Sequence, residues 1–177
     1  RVAEACTRIP CDVVLNIQGD EPLVDPRLID DVVAVFRRKP ATQCVNPVSE
    51  MDDAAEIASR NTVKVVFDKA RRALYFSRLP IPSDMISRRS VPIYRQVPVL
   101  AFRKPWFLRL SKLPETPLEI QESVDMMRAV ENGMPVEIIV TKFKTIGVDT
   151  PEDAAQVERL LGTDPVYLRC AREGRAS

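Results

Sequence analysis

The stretch from Asp12 to Asp25 constrains the fold more than any other part of the chain. Asp12 to Gln18 is an apolar, β-branched run that reads as a buried strand, and Gly19-Asp20-Glu21-Pro22 is the turn that ends it. Asp25 and Pro26 then supply an N-cap and a first helical residue. In the helix they begin, Leu28, Ile29, Val32, Val33 and Phe36 share one stripe, while Arg27, Asp30, Arg37 and Arg38 share the opposite face. Strand and helix patterns alternate in this way along the chain, which predicts an α/β fold with a mostly parallel sheet. At 177 residues the chain has the length of one domain with one sizeable core.

Further strands are expected near Thr42 to Val45, at Val63 to Phe67, at Ala73 to Phe76 as the return arm of a hairpin, from Gln96 to Phe102, and from Val136 to Thr141. Pro98 argues for an edge or a bulge in the fourth of these. A brief helix is expected near Asp52 to Ala58. Thr116-Pro117-Leu118-Glu119 is a capping-box sequence that opens a helix stopped by Gly133, and Thr150-Pro151-Glu152-Asp153 opens a last helix ended by Gly162. Ser77 to Arg95 reads as a long irregular connection, and residues 164–177 as a weakly patterned tail.

Composition excludes several classes of function. A net charge of +1 supplies no basic field for a nucleic-acid backbone. No apolar run approaches the roughly 18 residues of a membrane span, so neither nucleic acid nor membrane is expected as a partner. Histidine is absent, which removes Ser-His-Asp, Cys-His and His-ligated zinc chemistry. Cys6, Cys11, Cys44 and Cys170 form no CxxC pair and read as small buried hydrophobes in a reducing cytoplasm. Carboxylates are the remaining candidates for metal chemistry. Asp20 stands just past the end of a buried strand, where open α/β sheets place ligands, and Asp149 precedes a capped helix after another strand-like run. Brought together, the two could hold Mg²⁺, which is bound through one or two carboxylates plus substrate phosphates; taken singly, each is also explained as a turn residue.

The segment Leu15-Asn16-Ile17-Gln18-Gly19-Asp20-Glu21-Pro22 resembles the central motif of the 3-deoxy-manno-octulosonate (Kdo) cytidylyltransferases, the CMP-Kdo synthetases. The family's other motifs follow in order: Val63 to Asp68, Ala73 to Arg78 with Pro80-Ile81-Pro82, Tyr94-Arg95, Pro117-Leu118-Glu119 with Glu122 and Arg128, and Gly147 to Asp153. The resemblance implies a sheet of the nucleotide-diphospho-sugar transferase, Rossmann-like type. It makes residues 1–163 the C-terminal part of a single cytidylyltransferase domain, with 164–177 as its tail. The implied reaction joins an acidic 3-deoxy sugar such as Kdo to CTP, giving CMP-sugar and pyrophosphate for lipopolysaccharide or surface polysaccharide, in a cytoplasmic homodimer. It makes Asp20 and Asp149 the Mg²⁺ ligands, Asp20 and Arg78 catalytic, and Gln18, Arg78, Arg95, Gln96, Glu119 and Glu122 the substrate-binding residues. Without it, Glu119 is a capping-box carboxylate, Arg78 and Arg95 are solvated loop arginines, and Lys64 is the polar face of a half-buried strand.

Departures from the family pattern are as informative as the matches. Where the family reads Arg-His-x-Gly-x-Tyr this chain has Arg95-Gln96-Val97-Pro98-Val99-Leu100, and where it reads Glu-Gln-Leu-Arg this chain has Asp125-Met126-Met127-Arg128. Gln96, Leu100 and Met126 are therefore expected to alter the sugar side of the site, in favour of a related sugar or weaker use of Kdo. The family's phosphate-cradling first segment and its base-side motif are not matched, so the first βαβ part of the sheet and most of the nucleotide site are expected to be missing, exposing sheet edge. Two alternatives stand beside the cytidylyltransferase reading: an inactive fragment serving as a binding or oligomerisation module, and a nucleotidyltransferase for another sugar.

Overall fold

The computed structural model describes residues 2–83 and 91–173. Part of the connection expected between Ser77 and Arg95, and the end of the expected tail, lie outside the described residues.

The elements in chain order are α1 (Val2–Arg8), β1 (Val13–Ile17), α2 (Pro26–Arg38), β2 (Cys44–Met51), α3 (Ala54–Ala58), β3 (Lys64–Phe67), β4 (Ala73–Ser77), β5 (Ile93–Gln96), β6 (Val99–Arg103), α4 (Lys104–Leu110), α5 (Pro117–Glu122), α6 (Met126–Glu131), β7 (Glu137–Thr141), α7 (Pro151–Leu161) and α8 (Pro165–Glu173). Local signals act as read. The Asp25 carboxylate accepts the Arg27 N–H at 2.8 Å to cap α2, and Leu28, Val32 and Phe36 of its stripe are buried. Thr150 and Asp153 bond reciprocally across the first turn of α7.

β2 is the hub of a seven-stranded sheet among the described residues. One of its edges pairs first with β6 (Cys44↔Phe102, Val45↔Ala101) and then with β5 (Val48↔Gln96 to Met51↔Ile93). Its other edge carries β7 in parallel, from Val45↔Glu137 to Ser49↔Thr141. β1 pairs with β6 and, among the described residues, with no strand beyond; β3 and then β4 extend the β5 side. The sheet therefore forks between β5 and β6. Pro98 has no N–H for a ladder, so the single strand expected from Gln96 to Phe102 becomes two, with different outer neighbours.

The α/β class holds, but the mostly parallel sheet does not: β2–β7 is the parallel pair, and the other pairs described are antiparallel. Alternating strand and helix patterns report which elements follow one another, not which strands become neighbours. The turn at Asp68 to Arg72, closed by the Asp68 N–H on the Arg72 carbonyl at 2.9 Å, obliges β4 to run against β3.

Side chains of β6 alternate between two cores. Val99 and Ala101 join Leu28, Val32 and Phe36 of α2, while Leu100 and Phe102 join Trp106 of α4 and Met126 and Met127 of α6. The helix expected from Thr116 to Gly133 is two helices, because Ser123 takes a left-handed conformation (φ 52°) at the end of α5. α1, α4 and α8 were not legible in the sequence, and α8 occupies most of the expected tail. Cys6 and Cys44 are buried as expected, whereas Cys11 is half-buried and Cys170 exposed.

Phe76 of β4, fully buried, is one of the large aromatics of the helical core that also holds Phe102, Trp106 and Met127. Phe76→Ala is expected to lower unfolding stability by about 3–5 kcal/mol, read as a shift in the urea midpoint with unchanged slope.

Candidate active site

The fork opens a cleft of about 520 Å³ between the β1–β6 arm and the β3–β5 arm. Gln18, Asp20 and Glu21 line it from the end of β1, Gly147, Asp149 and Thr150 from the turn before α7, and Gln96 and Pro98 from the fork itself. Asn61, Thr62, Val63, Arg78 and Arg95 line the β3–β5 arm, with Ser123, Val124 and Asp125 from the break between α5 and α6.

One wall is acidic. The Val148 N–H donates to the Asp20 carbonyl at 2.9 Å, which ties the turn after β1 to the turn before α7. The Asp153 carboxylate of the α7 capping box also accepts the Asp149 N–H at 3.2 Å, so the cap that starts the helix also holds the Asp149 backbone. Glu21 lies against Gly147, where a Cβ would stand 3.2 Å from Glu21 Oε1; glycine leaves that space open. Glu21 Oε2 is buried with no hydrogen-bond partner among the described residues. Burial pushes the Glu21 carboxyl up from its ordinary value; Asp20 and Asp149 push the same way, while Thr145 and Arg95 oppose. Three carboxylates thus feel one another across this wall.

The opposite wall is cationic. Arg78 donates from Nε to the Glu122 carbonyl (2.9 Å), from Nη2 to the Ser123 carbonyl (3.0 Å) and from Nη1 to the Arg60 carbonyl (2.9 Å). It caps the C-terminus of α5, where a cation is favoured, and no described carboxylate pairs with its guanidinium. Lys64 is fully buried, which corrects its reading as the polar face of a half-buried strand. Its Nζ donates to the carbonyls of Ser59 (2.5 Å), Thr62 (2.9 Å) and Arg78 (2.9 Å). Desolvation lowers the Lys64 pKa and Arg78 lowers it further, against the pull of Glu56. Arg95 stands directly opposite Lys64 in the β3–β5 register. Its Nη1 is held by Glu56 of α3 at 2.6 Å, and its Nε is buried without a partner among the described residues.

Of the residues expected in the site, Gln18, Asp20, Arg78, Arg95, Gln96 and Asp149 are brought together at the cleft. Glu119 and Glu122 are not among its lining. The Glu119 carboxylate accepts the Thr116 N–H at 3.2 Å and pairs with Arg128. Glu122 accepts from the hydroxyls of Tyr75 (3.0 Å) and Ser77 (3.2 Å) and from the Arg78 N–H (2.9 Å). Leu100 and Met126, expected to alter the sugar side, are buried in the helical core instead, because strand alternation and the α6 packing face turn them inward. Gln96 is the one of the three departures that reaches the cleft. Glu21, Asn61 and Asp125 were missed. The consecutive carboxylates Asp20-Glu21 ahead of Pro22 were a signal for the first, and the motif position of Asp125, where the family has Glu, was one for the last; Asn61 had none.

Among the described residues no group of three or more acidic or thiol side chains is arranged to enclose a metal alone. The donors present nevertheless suit a hard cation completed by phosphate oxygens: carboxylates of Asp20 and Asp149, with the partnerless Glu21 Oε2 beside them.

The fold is that of nucleotidyltransferases. It superposes on the crystal structure of 4-diphosphocytidyl-2C-methyl-D-erythritol synthase from Anaerococcus prevotii with a TM-score of 0.55 at 15% identity, over 90% of this chain and 64% of that one. The sequence pattern of the family described as cytidylyltransferase matches residues 1–144, and the chain belongs to that family. The 3-deoxy-manno-octulosonate cytidylyltransferase of Solibacter usitatus is 39% identical over 160 residues, 90% of this chain and 64% of that protein. The structure of CMP:2-keto-3-deoxy-manno-octonic acid synthetase complexed with CTP matches with a TM-score of 0.84 at 31% identity, over 91% of this chain and 66% of that one. The chain thus spans slightly less than two thirds of the length of these relatives.

The Arg128 hydrogen bonds hold the Glu119 carboxyl below its ordinary value of 4.5. A depressed folded-state value contributes stability above the unfolded pKa that is lost as pH falls through the folded one. Glu119→Gln is expected to cost about 3 kcal/mol at pH 7, where Arg128 would lose its counter-ion, and the gap to the wild type should close on acidification below 4.5, measured by urea unfolding at each pH.

Proposed function

We propose that the protein carrying this chain is a CTP-dependent sugar cytidylyltransferase acting on an acidic 3-deoxy-ulosonic sugar, Kdo or a close relative. The anomeric hydroxyl attacks the α-phosphate of CTP and gives up its proton to water, the bond from that phosphorus to the bridging oxygen of the β-phosphate breaks, and CMP-sugar and pyrophosphate are released. The observation that carries this reading is the opposition of two walls in one cleft, Asp20 and Asp149 on one side and Arg78 and Arg95 on the other. Family membership and the fold of the CTP-complexed relative support it.

Phosphoryl transfer relies on positioning and on neutralising charge, and the residues divide accordingly. Asp20 and Asp149 would hold Mg²⁺, whose charge offsets that of the triphosphate when bound. Arg78 and Arg95 attract the sugar carboxylate; Lys64 behind them adds field without touching the ligand. Gln18 and Gln96 offer hydrogen bonds to sugar hydroxyls. Glu119 and Glu122 support the site from outside its lining: Glu119 holds Arg128, and Glu122 accepts the Arg78 N–H. Synthesis of lipopolysaccharide or surface polysaccharide, a cytoplasmic setting and a homodimer complete the proposal. Gln96 also favours a second reading in which the preferred sugar is a relative of Kdo.

Pyrophosphate release from CTP, Mg²⁺ and each of a series of 3-deoxy-ulosonic acids tests both readings. Asp20→Asn and Asp149→Asn should each lower kcat about 100-fold or more, because metal-borne neutralisation supplies several kcal/mol. Failure of the wild-type protein to release pyrophosphate with any of these sugars would overturn the proposal and favour a binding module.

A further inference from the structure

We infer that Asn46, a residue outside the cleft lining, is a positioning residue that fixes the orientation of the Gln96 amide, so that the substrate group meeting Gln96 Oε1 must be a donor. The inference deepens the sugar reading and rests on it for the identity of the ligand.

Asn46 is fully buried in β2, beside the fork. Its Nδ2 donates to two backbone carbonyls, that of Pro47 at 3.1 Å and that of Val97 at 3.0 Å. Carbonyl oxygens only accept, so an inverted Asn46 would set its own oxygen against two others. The amide orientation is therefore determined, and both Nδ2 hydrogens are used. Asn46 Oδ1 is left as the acceptor, and Gln96 Nε2 donates to it at 2.7 Å. That bond determines the Gln96 amide in turn. With one of its two Nε2 hydrogens given to Asn46, the Gln96 amide is held in one orientation; Oε1, which accepts no hydrogen bond from any described residue, and the second Nε2 hydrogen keep fixed places.

The backbone around the pair gives it little freedom. The Gln96 N–H is bonded to the Val63 carbonyl at 2.8 Å and the Val97 N–H to the Pro47 carbonyl at 2.9 Å. Gln96 stands opposite Val48 on β2 and lines the cleft. An unconstrained glutamine would offer either its carbonyl or its amide nitrogen at a given place; this one holds its carbonyl in a single place. A sugar hydroxyl satisfies it, whereas an ether or a ketone oxygen at the same place leaves two acceptors facing each other. Asn46 thereby sets specificity without touching the substrate.

The test combines side-chain amide exchange with ligand affinity. In the ligand-free protein, the Gln96 Nε2 hydrogen bonded to Asn46 should exchange at least about tenfold more slowly than those of exposed Gln121 and show contacts to Asn46; exchange at the exposed rate would overturn the inference. By calorimetry, Kdo and its mono-O-methyl ethers should bind alike except at one position, where the ether binds about tenfold or more weakly. In Asn46→Leu that discrimination should fall to about threefold or less, since Gln96 can then turn its amide to the ether oxygen. No discriminated ether in the wild type, or undiminished discrimination in Asn46→Leu, would overturn it. Should Asn46→Leu fail to fold, Gln96→Met replaces it, with the same loss of discrimination expected and its retention overturning the role of Gln96. If the wild type binds no sugar, the sugar reading fails by itself, and amide exchange alone decides whether Gln96 is fixed.

Discussion

The missing N–H of Pro98 is the constraint on which the rest of the structure depends. A strand running unbroken from Ile93 to Arg103 would keep one outer neighbour along its whole length; interrupted at Val97-Pro98, it has β3 beside its first half and β1 beside its second. The two arms part, and the cleft is the space between them. β2 spans the division because its eight residues pair with both halves, and the buried amide of Asn46 occupies the place where regular pairing lapses. A polar side chain is tolerated there because each of its donors and acceptors has a partner.

Charge in the cleft follows from how the arms are built. The cations of the β3–β5 arm are held largely by backbone carbonyls: Lys64 by three of them, Arg78 by three others, with Glu56 the carboxylate that pairs with Arg95. Carbonyl dipoles satisfy the hydrogen-bonding needs of a cation without cancelling its charge, so the wall retains a positive field in a partly desolvated setting. The acidic wall uses the complementary device, with carboxylates crowded near one another. The cations are thus largely satisfied in their hydrogen bonds, the acidic wall leaves Glu21 Oε2 unpartnered among the described residues, and each wall is unbalanced electrostatically.

What the sequence revealed was what is local. The caps of α2 and α7, the stripe of α2 and the β3–β4 hairpin depend on neighbours a few residues away, and all were legible. Asp20 and Asp149 were legible as a pair through motif resemblance, and the cleft contains both. The direction of the sheet was not, since pairing of β1 with β6 depends on contacts across the whole chain. Nor was the division of α5 from α6, which depends on the left-handed Ser123 and on an arginine far away in sequence. Lys64 looked like a surface position because strand alternation identifies a face without saying what covers it. Leu100 and Met126 occupy motif positions, yet their packing faces direct them to the core.

The bond between Val148 and Asp20 joins turns near opposite ends of the described chain, and its consequence concerns folding order. Each wall of the cleft draws on segments that meet only after long loops have closed, an entropic cost that local helix formation does not share. No early intermediate made of α2 with its neighbouring strands can contain the cleft. The site is a late product of assembly, and a ligand that recognises both walls selects chains whose two ends have already met, drawing the folding equilibrium toward the finished topology by mass action.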